Sequence, residues 1–179
     1  GKKIQMFDRK GKIVSGFKLK KLKHPLRNKA KNIRFGNKDF IVLQDLNGQV
    51  RIINRQGDDR IVLKEIVNTS SNPIFEYRKT FAGTSKNGNF IQIDTKGNVN
   101  RSSLGLKPDH KIDMTSKSLV TLSENKLTIK GIPVILPFGN YTPPKIHYLK
   151  NTIYITLTDL DTQNVYAFYS NGKTLEGFP

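Results

Sequence analysis

The sequence predicts an all-β fold, a β-propeller-like array of four-stranded antiparallel blades, and three observations carry that expectation. A unit of strand, tight turn and strand recurs as IQMFDRKGKIVSGF at 4–17, VRIINRQGDDRIVL at 50–63, FIQIDTKGNVNRSSL at 90–104, KLTIKGIPVIL at 126–136 and VYAFYSNGKTLEGF at 165–178. The turn glycines Gly11, Gly57, Gly97 and Gly172 are spaced 46, 40 and 75 residues apart, the last close to two periods. Four-stranded units at a period of about 40 residues are the mark of propeller blades. Finally, Ile153, Ile155 and Leu157 alternate with Tyr154, Thr156 and Thr158, a period of two that a strand uses and a helix does not.

In chain order, residues 4–17 form a hairpin around Gly11 that aligns with the last one around Gly172. Residues 18–30 read as an extended basic linker, because Phe17, Leu22, Leu26 and Ile33 are only loosely spaced and Pro25 interrupts any helix. Four blades follow, at about 31–63, 73–104, 110–137 and 145–178. Their first two strands are KNIRFG and DFIVLQD, PIFEYRK and FAGTS, HKIDMT and LVTLSE, and KIHYLK and TIYITLTD. Turns at LNGQ, RQGD, TKGN and SNGK place glycine where a hairpin needs a positive φ. The third blade is the exception, since KLTIKGIPVIL has a degenerate turn. The first hairpin lacks two inner strands, so the chain is expected to be a fragment of a larger propeller or an incomplete ring.

Length supports one domain, 1–179, with a core large enough to need no staples: 20.3 kDa and 36% hydrophobic residues, with no Trp and no Cys. The longest apolar runs, such as 132–138, are far short of the ~20 residues of a membrane helix. No membrane insertion is expected. With Gly at position 1, the chain reads as processed or excised, with any targeting segment upstream. Charge is the most marked feature, with 31 Lys and Arg against 14 Asp and Glu, a net +17 and a pI near 10.1. Residues 1–34 alone carry 13 of those bases and one acid, Asp8.

The basic segment is therefore the leading candidate site: Lys18, Lys20, Lys21, Lys23, Arg27, Lys29, Lys31 and Arg34 would neutralise phosphates or other anions without reading sequence. Only Phe17 and Phe35 flank the run, so base stacking is poorly served, and the competing reading is a set of individually solvated lysines. Asp159, Asp161 and Gln163 alternate as in a calcium loop, but the third carboxylate and the glycine of such a loop are missing, and a polar turn before Val165 explains them as well. His24, His110 and His147 are 86 and 37 residues apart, without zinc spacing, and read as loop histidines. Neither GxSxG nor a phosphate-binding glycine loop occurs, and Asp58 and Asp59 lie in a turn. No catalytic, cofactor or metal residues are assigned. Phe7, Phe17, Phe40, Phe75, Phe90, Tyr154, Phe168 and Phe178 recur at repeat positions and are expected to pack between blades.

The stretch KNIRFGNKDFIVLQDLNGQVRIINRQGDDRI and the closing VYAFYSNGKTLEGFP resemble repeats of large surface or periplasmic propeller proteins of Bacteroidetes, and more broadly quinoprotein-like and FG-GAP-like blades. That resemblance implies a cell-envelope or secreted protein, anchored upstream, acting as a non-enzymatic interaction or scaffold module toward a protein partner or other domains of a longer chain. Quinone chemistry is not carried over, because the Trp residues of those enzymes are absent. The alternative is polyanion binding, to nucleic acid or anionic glycan, through residues 18–34. An enzyme on the same scaffold ranks third. Unpaired outer strands of a broken ring also invite self-association.

Overall fold

The computed structural model describes residues 2–179, and every regular element among them is a β-strand. Blade 1 comprises β1 (Lys31–Phe35), β2 (Lys38–Gln44), β3 (Val50–Ile53) and β4 (Asp59–Ile61); blade 2 comprises β5 (Phe75–Tyr77), β6 (Thr80–Thr84), β7 (Asn89–Ile93) and β8 (Val99–Ser103). Blade 3 comprises β9 (Lys111–Met114), β10 (Leu119–Ser123), β11 (Lys126–Ile129) and β12 (Ile132–Ile135). Blade 4 has β13 (Lys145–Leu149), β14 (Thr152–Thr158) and β15 (Val165–Tyr169), its fourth strand reduced to a bridge between Phe168 and Thr174. Each sheet is an antiparallel meander in sequence order, so the architecture is a β-propeller of three four-stranded blades and one of three.

The inner strands converge on an axis. Lys31 of β1 lies 4.0 Å over the ring of Phe75 of β5, and the Ile146 amide of β13 donates to Asp113 of β9 at 2.8 Å. Cores form between successive blades because most strands are apolar on both faces, as expected of a sheet covered on two sides. In β2, Phe40 and Val42 point toward blade 2 with Ile52, Phe81, Ile91 and Ile93, whereas Leu43 joins Phe17, Leu19 and Ile53 on the side of the N-terminal segment. Blades 3 and 4 meet through Val120, Leu122, Leu127, Ile129, Ile155, Leu157 and Phe168. The contact between blades 2 and 3 is smaller, with Phe75, Ala82, Phe90, Ile112 and Met114 as its buried members.

The N-terminal hairpin is held by the pairing of Phe7 with Ile13 and by the Val14 amide on the Met6 carbonyl at 2.9 Å. The linker after it is not a free loop. It returns alongside the first residues, with Lys3 paired to Lys21 and the Leu22 amide on the Lys2 carbonyl at 2.7 Å, and then pairs Leu26 with Asp45 at the top of blade 1. Of the aromatics expected between blades, Phe17, Phe40, Phe75, Phe90 and Phe168 are buried, whereas Phe7 is 56% and Phe178 42% exposed. Among the described residues no blade covers Phe7, and Phe178 lies past the last pairing of blade 4, the Leu175 amide on the Ala167 carbonyl.

Phe168 is 3% exposed in the core between blades 3 and 4. Phe168→Ala should cost about 3 kcal/mol or more in urea-induced unfolding, the transfer and cavity terms of a buried ring together. A loss below ~1 kcal/mol would contradict the packing described for this interface.

Candidate functional site

Most turns are built by one device. Asp8, Asp45, Asn54, Ser85 and Asp94 each begin a turn that ends three residues later in a glycine of positive φ, with the glycine amide donating back to the first residue's carbonyl. The side-chain oxygen of Asp8, Asp45, Asn54 and Asp94 accepts two further backbone amides of the same turn, at 2.8–3.1 Å. This is a three-residue hairpin loop closed by a left-handed glycine, with the Asp or Asn as its cap. The hydrogen bond from the Asn98 side chain is the main reason that the Asp94 carboxyl titrates below the usual carboxylate range, its backbone bonds and nearby Lys64 adding to it.

These turns also join the blades. The outer turn of blade 2 lies on the strand exit of blade 1: the Lys64 amide donates to the Gly97 carbonyl at 3.1 Å, and a Cβ on Gly97 would strike the Val62 carbonyl. The outer turn of blade 1 lies likewise on the N-terminal segment, the Lys18 amide donating to the Gln56 carbonyl at 2.8 Å. Gly172 of blade 4 rests on Val134 and Ile132 of β12. Blade 3 breaks the series. Its β11–β12 turn is the two-residue Lys130-Gly131, with φ of 51° and 90°, and nothing lies within 4 Å of where a Gly131 Cβ would be.

Because that turn stops short of blade 2, a groove of about 570 Å³ opens between the two blades. Its floor is the polar face of blade 3, where Thr121, Ser123, Lys126, Thr128 and Lys130 line the opening while Val120, Leu122, Leu127 and Ile129 face blade 4. Leu104, Leu106, Leu119, Tyr77 and Pro133 supply apolar walls. Five cations, Arg78, Lys107, Lys117, Lys126 and Lys130, line it against one acid, Glu124. Among the described residues none of these five joins an ion pair.

The backbone places these charges at two ends. Arg78 donates its amide to Ser116, and Lys130 its amide to Leu119, so Arg78, Lys117 and Lys130 gather at the lower end. The Lys107 amide donates to Ser123 Oγ at 2.9 Å, which sets Lys107 beside the start of β11 and Lys126 at the upper end. Four residue steps of β10 separate the ends, about 13 Å at strand rise. The groove was absent from the sequence reading. Its signals were the degenerate turn already noted and the alternation of Lys126, Thr128 and Lys130 with Leu127 and Ile129, which leaves one face of a propeller strand polar.

The eight basic residues singled out from the sequence do not share one face. Lys18 Nζ bonds Asp58 at 2.9 Å at the lower outer turn of blade 1. Lys20, Lys21 and Lys23 are exposed on the segment that pairs with residues 2–4. Arg27 donates to the Leu46 carbonyl at the top of blade 1, its Nε buried without a partner, and Lys29 is exposed nearby in sequence. Lys31 stands at the axis, where burial pulls its ammonium below the ordinary lysine value, Asp113 opposes that shift and Lys145 adds to it. Arg34 bonds the Gly36 carbonyl at 3.1 Å at the lower end.

Other candidates have structural partners. Asp159 Oδ1 accepts the Asp161 amide at 3.0 Å and Oδ2 the Thr162 hydroxyl at 2.7 Å, while Asp161 accepts the Asn140 amide, so this loop shows the self-bonding of a polar turn. The Thr162 hydroxyl holds the Asp159 carboxyl below the usual range, reinforced by backbone amides. His110 is buried rather than a loop histidine in solvent, bonded to the Lys107 carbonyl and to Thr84 Oγ1 at 2.7 Å. It completes a buried polar belt in which Gln44 donates to Thr69 and Ser70 and Asn72 donates to the His110 carbonyl, across blades 1 to 3. His147 bonds Thr156. Burial pushes the Tyr141 hydroxyl up to about 12, with Tyr166 and Asp159 adding to it.

No protein-family model matches the chain, and no curated protein matches it in sequence. Among solved structures it is similar to the computationally designed Ika8 protein, at 13% identity and a TM-score of 0.45 over 82% of this chain and 58% of that one. It is also similar to BamB from Moraxella catarrhalis, at 11% identity and a TM-score of 0.43 over 76% of this chain and 60% of that one. The chain thus spans about three fifths of the length of each. No helix among the described residues is long and apolar enough to cross a membrane.

Two outcomes are expected. Gly97→Ala adds a clash to an unfavourable positive φ and should cost about 3 kcal/mol, against about 1 kcal/mol for Gly131→Ala, which meets only the φ penalty; equal losses in urea melts would contradict the difference between the two turns. Asp159 has a depressed folded-state pKa, so its stabilisation is present above the unfolded carboxylate value near 3.9 and is lost as pH falls below it. Asp159→Asn should flatten the decline of stability below about pH 4, and an unchanged slope would contradict the linkage.

Proposed function

We propose that the chain is a non-enzymatic interaction module whose recognition surface is the cationic groove between blades 2 and 3. The observation that carries this reading is the short Lys130-Gly131 turn, beside which Lys126 and Lys130 stay exposed and Thr128 half-buried on the face of β11 turned toward blade 2. Lysines without intrachain partners retain their full charge for a ligand, and a groove of this volume with apolar walls suits recognition. The turn acids are committed to backbone capping, which favours a scaffold over a site for acid and base chemistry. The resemblance of the closing repeat to envelope propellers supports a cell-envelope or secreted setting for the module.

A second reading has its own support. The pairing of Lys3 with Lys21 brings Lys2 and Lys3 alongside Lys20, Lys21 and Lys23, a basic strip that suits a polyanion. One experiment separates the two: amide chemical-shift mapping during titration with a decamer of glutamate, a heparin oligosaccharide and an oligothymidylate, repeated across a salt series. Shifts centred on Thr121, Thr128 and Lys130, retained near 0.15 M salt and abolished by Lys126→Glu with Lys130→Glu, are expected. Shifts centred on residues 18–34, with a steep salt slope, would replace the groove reading with the polyanion reading.

A further inference from the structure

Resting on the groove reading, we propose that its ligand is an extended peptide segment of a partner protein, acidic at both ends and apolar between. The distribution of charge decides the ligand class. Cations stand at the two ends, with Arg78, Lys117 and Lys130 below and Lys107 and Lys126 above beside the one acid, Glu124, about 13 Å apart at strand rise. Between them the floor carries Thr121 and Thr128 and no cation, while Leu106 adjoins Lys107 at the upper end and Leu119 adjoins Lys130 at the lower. A ligand with charge on every unit, such as nucleic acid or a sulfated glycan, would set anions against this uncharged middle and leave them unpaired there. A small anion would engage one end only. An extended peptide advances about 3.3 Å per residue, so four or five residues span the groove, with carboxylates reaching each pair of lysines and apolar side chains meeting the leucines.

The two-ended arrangement makes a specific demand: neutralising either end should weaken binding by a similar factor, and charge alone should not suffice. The test is fluorescence anisotropy at about 0.15 M salt with the labelled hexapeptide Glu-Glu-Leu-Leu-Glu-Glu as probe, and with hexaglutamate, Lys-Lys-Leu-Leu-Lys-Lys and a heparin hexasaccharide as competitors. The expected result is at least tenfold weaker competition by each of the three. A loss of at least tenfold in probe affinity is also expected for Lys107→Glu with Lys126→Glu, and separately for Lys117→Glu with Lys130→Glu. These side chains are exposed, so the variants should melt with the parent, which a urea curve verifies. Equal or better binding of hexaglutamate or heparin that still depends on the groove lysines would overturn the peptide assignment and leave the groove reading standing. Binding of every probe indifferent to both pairs would overturn both.

Discussion

Contact between an outer turn and the segment before it is the constraint on which this structure depends. A blade alone is a small sheet with two apolar faces, and it is stable only when neighbours cover both. In blades 1 and 2 the outer turn reaches back far enough for its carbonyl to accept an amide from the preceding strand exit, Gln56 from Lys18 and Gly97 from Lys64. That approach brings backbone against backbone, which is why the Val62 carbonyl leaves no room for a Cβ at Gly97. Registration of one blade on the next then fixes which residues of the middle strands are covered, and so sets both the cores and the gaps.

The third blade follows from the same constraint by failing it. With two residues in place of the longer turn, its outer strands have nothing to reach blade 2 with, and the face they would have buried is polar instead. Thr121 and Ser123 are buried, whereas Thr128 and Lys130 could not have been covered by Leu104 and Leu106 without stranding a hydroxyl and an ammonium in apolar surroundings. Turn length and side-chain polarity therefore agree. The charge balance points the same way, since Asp8, Asp45, Asp94 and Asp159 hold backbone amides while Asp39, Asp58, Asp59 and Glu65 are paired with other bases. Among the described residues the groove cations join none of these ion pairs.

Much of the fold was legible because its determinants are local. Strand alternation and turn glycines lie within a dozen residues of one another, and the four blades fall where the repeat places them. Blade 4 shows how far this reached: residues 145–169 give three strands as read, but the fourth contracts to the bridge at Thr174. The site was less legible because it depends on what a turn fails to touch. KLTIKGIPVIL announced a degenerate turn, yet the gap beside it requires knowing that Gly57 and Gly97 lie against the preceding strand exits, a contact between segments about 40 residues apart. The basic run at 18–34 shows the opposite error. A count along the chain treats Lys18, Lys31 and Arg34 as one patch, whereas the chain turns around blade 1 and sends them to the outer turn, the axis and the lower end.

Native-state amide hydrogen exchange tests the central claim most directly, because it reads the interblade contact at single residues. Lys18 and Lys64 lie outside the regular strands, and each donates its amide to the outer turn of the blade that follows, at 2.8 and 3.1 Å. The account predicts that both amides exchange only with larger unfolding of the segments they join. Exchange at either near the rate of an open backbone would mean that the outer turns do not hold successive blades together, and would contradict the constraint on which the account rests.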